Sequence, residues 1–268
     1  MPDRPELRSS LPLSLAAKAR WIKLAGVPAL IVHPDWDPAA DAPLPVRPWL
    51  LWMHGRTVTK ELDPGRYQRL ARAGIASVAV DLPGHGERLD NSAQRLDATL
   101  PLIAGMVSEV DAIVAAAHEL GGNAGLDLER MAIGGMSAGG MATLARLCRP
   151  HRFAAAVVEC ATGSWRWQSN LMQGDPALVA SLNPIDHLDG WRAIPLLVLH
   201  NRLDQWVRLA GQEEFVAALS ARTARADLIS MHVYDETGAP FEHAGFGRMG
   251  ADAKDRVAQF LARHLTIQ

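Results

Sequence analysis

A strand-turn-helix signal near the middle of the chain constrains the fold most strongly. The apolar run from Met131 to Ile133 enters a cluster of glycines around Ser137, and the alanine-rich segment from Met141 to Leu147 follows. Glycines at 135 and 139 permit a sharp turn, because no Cβ atom obstructs the approach of strand and helix. We predict a strand that turns into a helix with a strained, exposed serine between them. Taken alone, the pattern also suits an ordinary glycine-rich turn or a phosphate-binding one.

Apolar runs and helical periodicities alternate along most of the remaining chain. Trp49 to Met53 is a short, continuous apolar run, as expected of a strand covered on both faces. Apolar residues repeat at helical spacing between Leu100 and Ala117. This alternation predicts the α/β class, with a mainly parallel sheet and helices on both of its faces. Pro28 lacks an N–H group, so we expect its strand to lie at an edge of the sheet.

The length and patterning of the chain favour a single domain. The sequence has 268 residues, of which 21% are charged, which is ordinary for a globular protein. We interpret residues 1–268 as one domain, since no convincing linker or internal repeat divides them. Between about 161 and 191 the regular pattern gives way to scattered tryptophans, glycines and prolines. We interpret that segment as an insertion over the edge of the sheet that would carry catalytic residues.

Composition argues against several kinds of partner. The formal net charge is −2 and no basic stripe is present, so we do not expect nucleic acid binding. The chain has two cysteines, Cys148 and Cys160, which argues against a disulfide framework or a zinc site, and we expect no metal. No apolar run approaches the length of a membrane span, and the run from Leu11 to Ala17 is a poor signal peptide. We therefore expect a cytoplasmic protein that does not bind membranes.

A serine nucleophile requires two further side chains. Serine is weak until a neighbouring base takes its proton and a third group orients that base. If Ser137 is the nucleophile, an acid and then a histidine should follow on later loops. His243 lies in the last large loop, between the final predicted strand and the final predicted helix. Asp204 lies a few residues beyond the end of an earlier strand, where it can hold the imidazole of His243.

The acid has alternatives. Glu159, Asp186 and Asp189 are rival carboxylates, and among these Glu159 alone lies by a strand end. Asp204 could instead cap the helix that follows it. The order of serine, aspartate and histidine along the chain favours Asp204.

Two backbone N–H groups are candidates for holding an oxyanion, as acyl transfer requires. One belongs to Ala138, at the positive end of the helix that follows the serine. The other belongs to Arg56, in the turn that Gly55 permits after an apolar strand. We interpret the cationic side chain of Arg56 either as a contact for an acidic substrate group or as a solvent-exposed group.

Five features in chain order resemble the α/β-hydrolase superfamily over most of the chain, from about residue 20 to residue 265. They are His54-Gly55-Arg56, Asp81-Leu82-Pro83-Gly84-His85-Gly86, Gly135-x-Ser137-x-Gly139, Asp204 and His243. Within the superfamily, His85-Gly86-Glu87-Arg88 looks like the small bacterial serine esterases of the dienelactone-hydrolase and prolyl-oligopeptidase-like clan. Glu87 and Arg88 could line the site or form a structural ion pair.

The resemblance implies an eight-stranded, mostly parallel sheet with a small cap insertion after the sixth strand. It also implies ester hydrolysis by a triad of Ser137, His243 and Asp204 through an acyl-enzyme, without a cofactor. Dienelactone hydrolases proper use a cysteine nucleophile, so the serine counts against a dienelactone substrate. Prolyl-oligopeptidase-type enzymes usually carry a large N-terminal propeller, for which this chain has no room, so we expect a peptidase less than an esterase.

Three apolar residues are candidates for substrate contact. Trp165 and Trp167 lie in the insertion just after the sixth strand, where an apolar lid over an acyl or alcohol group is expected. Met136 directly precedes the serine. Packing within the cap explains the two tryptophans equally well.

The sequence thus predicts an esterase that acts on a small-molecule carboxylic ester. A peptidase or amidase, or an acyltransferase with an acceptor other than water, would use the same fold. A non-catalytic ligand-binding protein is the alternative from another class, although such a protein has no need of all three triad residues. The oligomeric state is left open, with a homodimer among the options.

Overall fold

One eight-stranded sheet forms the centre of the protein. The computed structural model describes residues 11–37, 43–120 and 124–266, and the rest of the single domain expected over 1–268 lies outside the described residues. The strand order is β1-β2-β4-β3-β5-β6-β7-β8. The strands are β1 Ala19–Leu24, β2 Val27–Val32, β3 Arg47–Met53, β4 Ala76–Val80, β5 Leu126–Met136, β6 Ala155–Glu159, β7 Leu196–Asn201 and β8 Ile229–Tyr234.

The strand pairing confirms the mostly parallel sheet that the sequence predicted. β2 pairs antiparallel with β1 and with β4, and every later pair is parallel. Trp52 in β3 lies opposite Ala79 in β4 and Gly134 in β5. Because β3 to β7 run in one direction between flanking strands, their carboxyl ends meet at one edge of the sheet, where side chains from distant parts of the chain come together.

Helices cover both faces of this sheet, as the alternating pattern predicted. Side chains of α3, α4 and α7 join one buried cluster with Leu51, and those of α1, α2 and α8 join another with Leu50 and Trp52. Burial of one such apolar side chain stabilises the fold by roughly 1.5–3 kcal/mol. The helices are α1 Leu13–Ala16, α2 Pro64–Arg72, α3 Thr99–Glu119, α4 Ala138–Leu147, α5 Ser169–Met172, α6 Pro176–Leu182, α7 Leu209–Arg222 and α8 Gly250–Leu265.

β2 is an interior strand, so the expectation drawn from Pro28 was wrong. β2 lies between β1 and β4. Its ladder with β4 begins where Ala29 faces Val80, so Pro28 lies just outside that ladder. The carbonyl of Pro28 accepts the N–H of Asp81 at 3.0 Å. A proline is tolerated here because it stands at the start of the strand, where a missing N–H costs the ladder with β4 nothing.

The stretch Leu96–Glu119 corrects the statement that no apolar run approaches a membrane span. By length and composition it could cross a membrane, with a mean hydropathy of 1.7. In this fold its helix α3 packs against α4, and Ile103, Val107 and Val110 lie in the buried cluster beside the sheet. The core helix of a globular domain passes the same length and composition test.

Short elements fill the segment between β6 and β7. They are a 3₁₀ turn at Trp165–Trp167, the helices α5 and α6, and a 3₁₀ segment at Pro184–Gly190. Asp175 caps α6 by accepting the N–H of Ala177 at 2.8 Å. Leu171 and Leu182 are buried in the same cluster as α3. The segment therefore packs on that face of the sheet rather than extending into solvent.

Candidate active site

The turn after β5 holds Ser137 in the strained conformation that its glycines predicted. Ser137 has φ 53° and ψ −119°, a region that residues with a side chain rarely adopt. A Cβ atom on Gly135 would lie 2.4 Å from the carbonyl carbon of Gly139, and one on Gly139 would lie 2.2 Å from the carbonyl oxygen of Met53. The N–H of Ser137 donates to the carbonyl of Glu159 at 2.8 Å. The strand, turn and helix can thus approach one another only with glycine at both positions.

Ser137, His243 and Asp204 form one hydrogen-bonded line. The His243 Nε2 lies 2.9 Å from the Ser137 Oγ, across 106 residues of sequence. The His243 Nδ1 lies 2.8 Å from the Asp204 Oδ2. A carboxylate oxygen accepts hydrogen bonds and donates none, so Nδ1 carries the hydrogen and Nε2 accepts the hydrogen bond of the serine hydroxyl, which is the tautomer that a base requires. The structure therefore brings together the three residues that the sequence singled out.

Asp204 is fixed by hydrogen bonds on both of its oxygens. Its Oδ1 accepts the N–H groups of Trp206 at 2.9 Å and Val207 at 2.7 Å, which leaves Oδ2 for His243. The side chain therefore holds the turn before α7 and also orients the histidine, but it does not cap α7, whose N-cap is Arg208 without a side-chain cap hydrogen bond. The His200 Nε2 also lies 3.8 Å from Oδ2, but it is closer to the Val207 carbonyl, at 2.8 Å. Burial lowers the pKa of His200, which disfavours the charged form that an ion pair with Asp204 would need.

The rival carboxylates are hydrogen-bonded or paired with residues other than His243. Glu159 is buried and accepts a hydrogen bond from Arg66 at 2.8 Å, while Arg66 stacks over Trp52. Asp186 accepts from Asn183 at 2.7 Å, and the exposed Asp189 pairs with Arg222. In the described residues these contacts leave Asp204 as the carboxylate that holds His243.

The loop that carries His243 is itself held by a buried carboxylate. Phe241 and Glu242 both have positive φ angles, 57° and 48°. The Glu242 carboxylate accepts the Thr237 N–H at 2.8 Å, the Thr237 hydroxyl at 2.6 Å and the Gly238 N–H at 2.6 Å. The hydrogen bonds from Thr237 in particular hold the pKa of Glu242 below its ordinary value. Sequence reasoning missed Glu242, although its position next to His243 was a signal.

The candidate oxyanion donors lie beside the serine. Ala138 is the first residue of α4, and the N–H groups of a first helical turn point out of the helix. Gly55 packs against the serine, since a Cβ atom there would lie 3.5 Å from the Ser137 Cβ. Both expected donors, the N–H groups of Ala138 and Arg56, therefore belong to turns that meet at Ser137.

The side chain of Arg56 is partly buried rather than fully exposed to solvent. It donates to the Thr99 Oγ1 at 2.5 Å and to the Gln94 carbonyl at 2.9 Å. Burial lowers its pKa. The guanidinium thus ties the turn with the candidate oxyanion donor to the start of α3.

A buried cluster of charged side chains lies beside the turn that contains Gly55 and Arg56. Lys60 Nζ lies 2.8 Å from the Asp81 Oδ2 and 2.7 Å from the Glu87 Oε1. Burial raises the pKa of Asp81, but the adjacent His54 and Lys60 side chains outweigh that effect and lower it to about 2. Arg88 pairs with Glu109 at 2.7 Å. Glu87 and Arg88 therefore take part in structural ion pairs, although with Lys60 and Glu109 rather than with each other.

The apolar residues that the sequence proposed for substrate contact have different surroundings, and a further aromatic residue lies near His243. Trp165 has 0% of its surface exposed, so it packs within the core and has no surface to offer a substrate. Trp167 is 38% exposed and its Nε1 donates to Glu214 at 2.8 Å. Met136 is half-buried and packs against the second core cluster. Trp206, which sequence reasoning did not single out, lies 5.0 Å from the ring of His243.

One group of potential metal ligands overlaps the candidate triad. Ligand atoms of Cys160, Asp204 and His243 lie within 4.8 Å of one another. Asp204 and His243 are already hydrogen-bonded to each other. Burial raises the pKa of the Cys160 thiol well above its ordinary value, which disfavours the thiolate that a metal would need. The proximity of these three residues follows from the triad and does not indicate a metal centre.

Sequence comparison identifies the family of the chain. A sequence model of the prolyl oligopeptidase family matches residues 61–268. The chain belongs to the prolyl oligopeptidase family. Because it belongs to this family and has the sheet described above, the protein is a serine hydrolase of the α/β-hydrolase fold. None of the curated proteins compared with the chain matches it significantly.

Solved structures of both esterases and peptidases share the fold. The Thermus thermophilus protein TT1662 is 21% identical, with a TM-score of 0.70 over 93% of this chain and 98% of that one. A puromycin-hydrolyzing peptidase from Mycobacterium tuberculosis is 20% identical, with a TM-score of 0.72 over 96% of this chain, which spans 41% of the peptidase. Esterase 2 from Thermogutta terrifontis is 16% identical, with a TM-score of 0.66 over 94% of this chain and 97% of the esterase. At these identities the likeness concerns the fold.

Proposed function

We propose that the protein hydrolyses carboxylic esters with Ser137 as nucleophile, His243 as general base and acid, and Asp204 as the group that orients the histidine. The observation that carries the proposal is the hydrogen-bonded line from Asp204 through His243 to the Ser137 Oγ, with distances of 2.8 and 2.9 Å. Distances in this range allow direct proton transfer between serine and histidine.

The proposed reaction has two halves. The Ser137 Oγ attacks the ester carbonyl carbon while His243 Nε2 takes the hydroxyl proton, and the N–H groups of Arg56 and Ala138 bind the oxyanion. The bond to the alcohol oxygen then breaks as Nε2 returns the proton to it, which leaves an acyl-serine. Water attacks that acyl group in the same manner, so one ester and one water give one acid and one alcohol.

Two considerations support an ester rather than an amide as the substrate. An alkoxide is a better leaving group than an amide anion, so breakdown of an ester intermediate depends less on proton donation by His243 than breakdown of an amide intermediate does. An esterase, esterase 2 from Thermogutta terrifontis, is among the proteins that share this fold.

Hydrolysis of p-nitrophenyl acetate and butyrate tests the proposal. We expect wild-type protein to release p-nitrophenol, and Ser137→Ala to lower kcat about 10³-fold or more, because the nucleophile is lost. A fluorophosphonate probe should label the wild type and not the variant. Ser108→Ala, which removes an exposed hydroxyl on α3, is the matched control and should keep full activity. A wild type that neither turns over a panel of such esters nor reacts with the probe would refute the proposal.

A peptidase or amidase is the second candidate, because the family to which the chain belongs is that of prolyl oligopeptidase. Aminoacyl p-nitroanilides and the matching aminoacyl p-nitrophenyl esters separate the two activities. For each substrate, kcat/KM is divided by the rate constant of its uncatalysed hydrolysis. We expect this ratio to be higher for the ester than for the anilide. The opposite ranking would favour the peptidase.

A further inference from the structure

Two exposed aromatic rings form a continuous surface next to the proposed catalytic histidine. The rings of Trp206 and Phe241 stack with centroids 4.8 Å apart at an angle of 26°, and each residue is 53% exposed. The Trp206 ring lies 5.0 Å from the ring of His243. We call Trp206 and Phe241 together the aromatic platform. It is continuous with the site where the ester bond would break.

Hydrogen bonds hold the backbone of the platform in place, and one of them goes to a residue of the candidate triad. The N–H of Trp206 donates to the Asp204 Oδ1 at 2.9 Å, and the N–H of Gln205 donates to the Phe241 carbonyl at 3.1 Å. Buried Gln168 can donate its amide to the Trp206 carbonyl at 3.1 Å in the orientation that satisfies both of its amide atoms. The platform therefore keeps a defined position relative to His243.

The fold gains little from these rings in their present position. Each leaves about half of its surface in water, so most of the benefit of burying an aromatic side chain is not realised. Phe241 also has a φ of 57°, a conformation that is costly for a bulky residue. Exposed apolar groups and strained backbone that coincide beside a reactive centre indicate a binding role.

The reaction geometry limits what can lie on the platform. The ester carbonyl must approach the Ser137 Oγ, and the alcohol oxygen must come within hydrogen-bond distance of His243 Nε2. A ring attached close to either side of the ester can then reach Trp206, since ring pairs interact favourably at centroid distances of about 4.5–7 Å. A flat aromatic ring gains from stacking on such a surface, whereas a saturated ring of the same size gains from apolar contact alone.

We infer that the aromatic platform is a specificity-determining subsite that binds an aromatic ring of the substrate beside the scissile ester. The inference rests on the proposed esterase function. The ring belongs either to the alcohol or to the acyl group, and matched substrates distinguish these two sources. The subsite differs from the pair of tryptophans that the sequence proposed, of which Trp165 is fully buried.

Matched ester pairs test the subsite. Benzyl acetate and cyclohexylmethyl acetate differ in the alcohol ring, and methyl phenylacetate and methyl cyclohexylacetate differ in the acyl ring. We expect wild-type kcat/KM, measured by acid release, to favour the aromatic member of at least one pair by about tenfold. Trp206→Ala should remove most of that preference by lowering kcat/KM for the aromatic ester. Trp206→Phe should retain part of the preference.

Controls separate ring recognition from other effects. Phe241→Gly removes the second ring and also relieves the positive φ, so it tests the platform even if Trp206→Ala does not fold. Leu128→Ala removes a different exposed apolar side chain and should not change the preference. In the platform variants, kcat/KM should fall further for the aromatic esters than for the saturated esters, which lose apolar contact but no stacking.

Three outcomes would overturn the inference. An active wild type without an aromatic preference in either pair would show that no ring is recognised. An equal fall for aromatic and saturated esters in Trp206→Ala would show that Trp206 positions His243 instead of binding a ring. A wild type inert toward all four esters and toward the fluorophosphonate would refute the esterase function, and the subsite with it.

Discussion

Single residues next to the candidate triad hold its side chains in place. Glu242 uses its carboxylate to accept three hydrogen bonds from Thr237 and Gly238, directly before His243 in the chain. Those bonds oppose the strain of the positive φ angles at Phe241 and Glu242. The position of His243 therefore depends on a neighbour that takes no part in the proposed proton transfers.

Glu242→Gln tests this dependence at the residue scale. An amide can accept fewer of the three bonds, so we expect the loop to loosen and kcat to fall about tenfold. A positioning role predicts a lower kcat with little change in KM, and a normal thermal midpoint. Glu236→Gln, at an exposed position in the same loop, is the control. Unchanged kcat in Glu242→Gln would show that the loop does not need the carboxylate.

At the scale of elements, the site depends on close contacts between β3, β5 and α4. Gly139 lies in the first turn of α4, where a Cβ atom would meet the carbonyl oxygen of Met53 at the end of β3. Backbone atoms on both sides of this contact cannot move independently. The helix can carry the serine turn to the end of β5 only because the residue at 139 has no side chain.

Gly139→Ala should therefore be strongly destabilising. We expect the free energy of unfolding to fall by about 3 kcal/mol or more, or soluble protein to be lost, because a contact of 2.2 Å forces the backbone apart. Chemical unfolding followed by tryptophan fluorescence measures the effect. Gly250→Ala at the start of α8 is the matched control, since the nearest atom there is the flexible Lys254 Nζ at 3.6 Å. Equal stability of the two variants would contradict the argument.

The sequence predicted local elements and chain order well, and tertiary neighbours less well. The turn at Ser137 was accessible because glycine spacing dictates backbone geometry locally. Pro28 was misjudged because the place of a strand in a sheet depends on distant segments. The guanidinium of Arg56 and the exposure of Trp206 were likewise set by loops that meet only in the folded chain. Position beside Asp204 was the one sequence signal for Trp206.

At the scale of the whole molecule, the cluster of Lys60, Asp81 and Glu87 couples stability to acidity. The pKa of Asp81 is lowered from 3.8 to about 2 in the folded protein, so the folded state binds this proton less tightly than the unfolded chain. The carboxylate therefore contributes stability above about pH 4, and that contribution is lost as the pH falls from about 4 toward 2. A shift of this size corresponds to ~2 kcal/mol.

Unfolding free energies of wild type and Asp81→Asn between pH 6 and pH 2.5 check this coupling. We expect the variant to be less stable at pH 6, and the difference between the two proteins to shrink as the pH falls below 4. Asp235→Asn, at an exposed position, should follow the wild-type pH dependence. A difference between wild type and Asp81→Asn that stays constant down to pH 2.5 would contradict the lowered pKa.

β8 is an edge strand, so it has less support from neighbours than the strands in the interior of the sheet. β8 has one neighbour in the described sheet, β7, and the loop with His243 follows it directly. Edge segments open locally at a lower free energy than the interior of a sheet. Each brief detachment of this strand would carry the histidine away from a serine that remains in place on β5. Opening of this one strand would therefore separate the two side chains of the proposed proton transfer while the rest of the molecule stays folded.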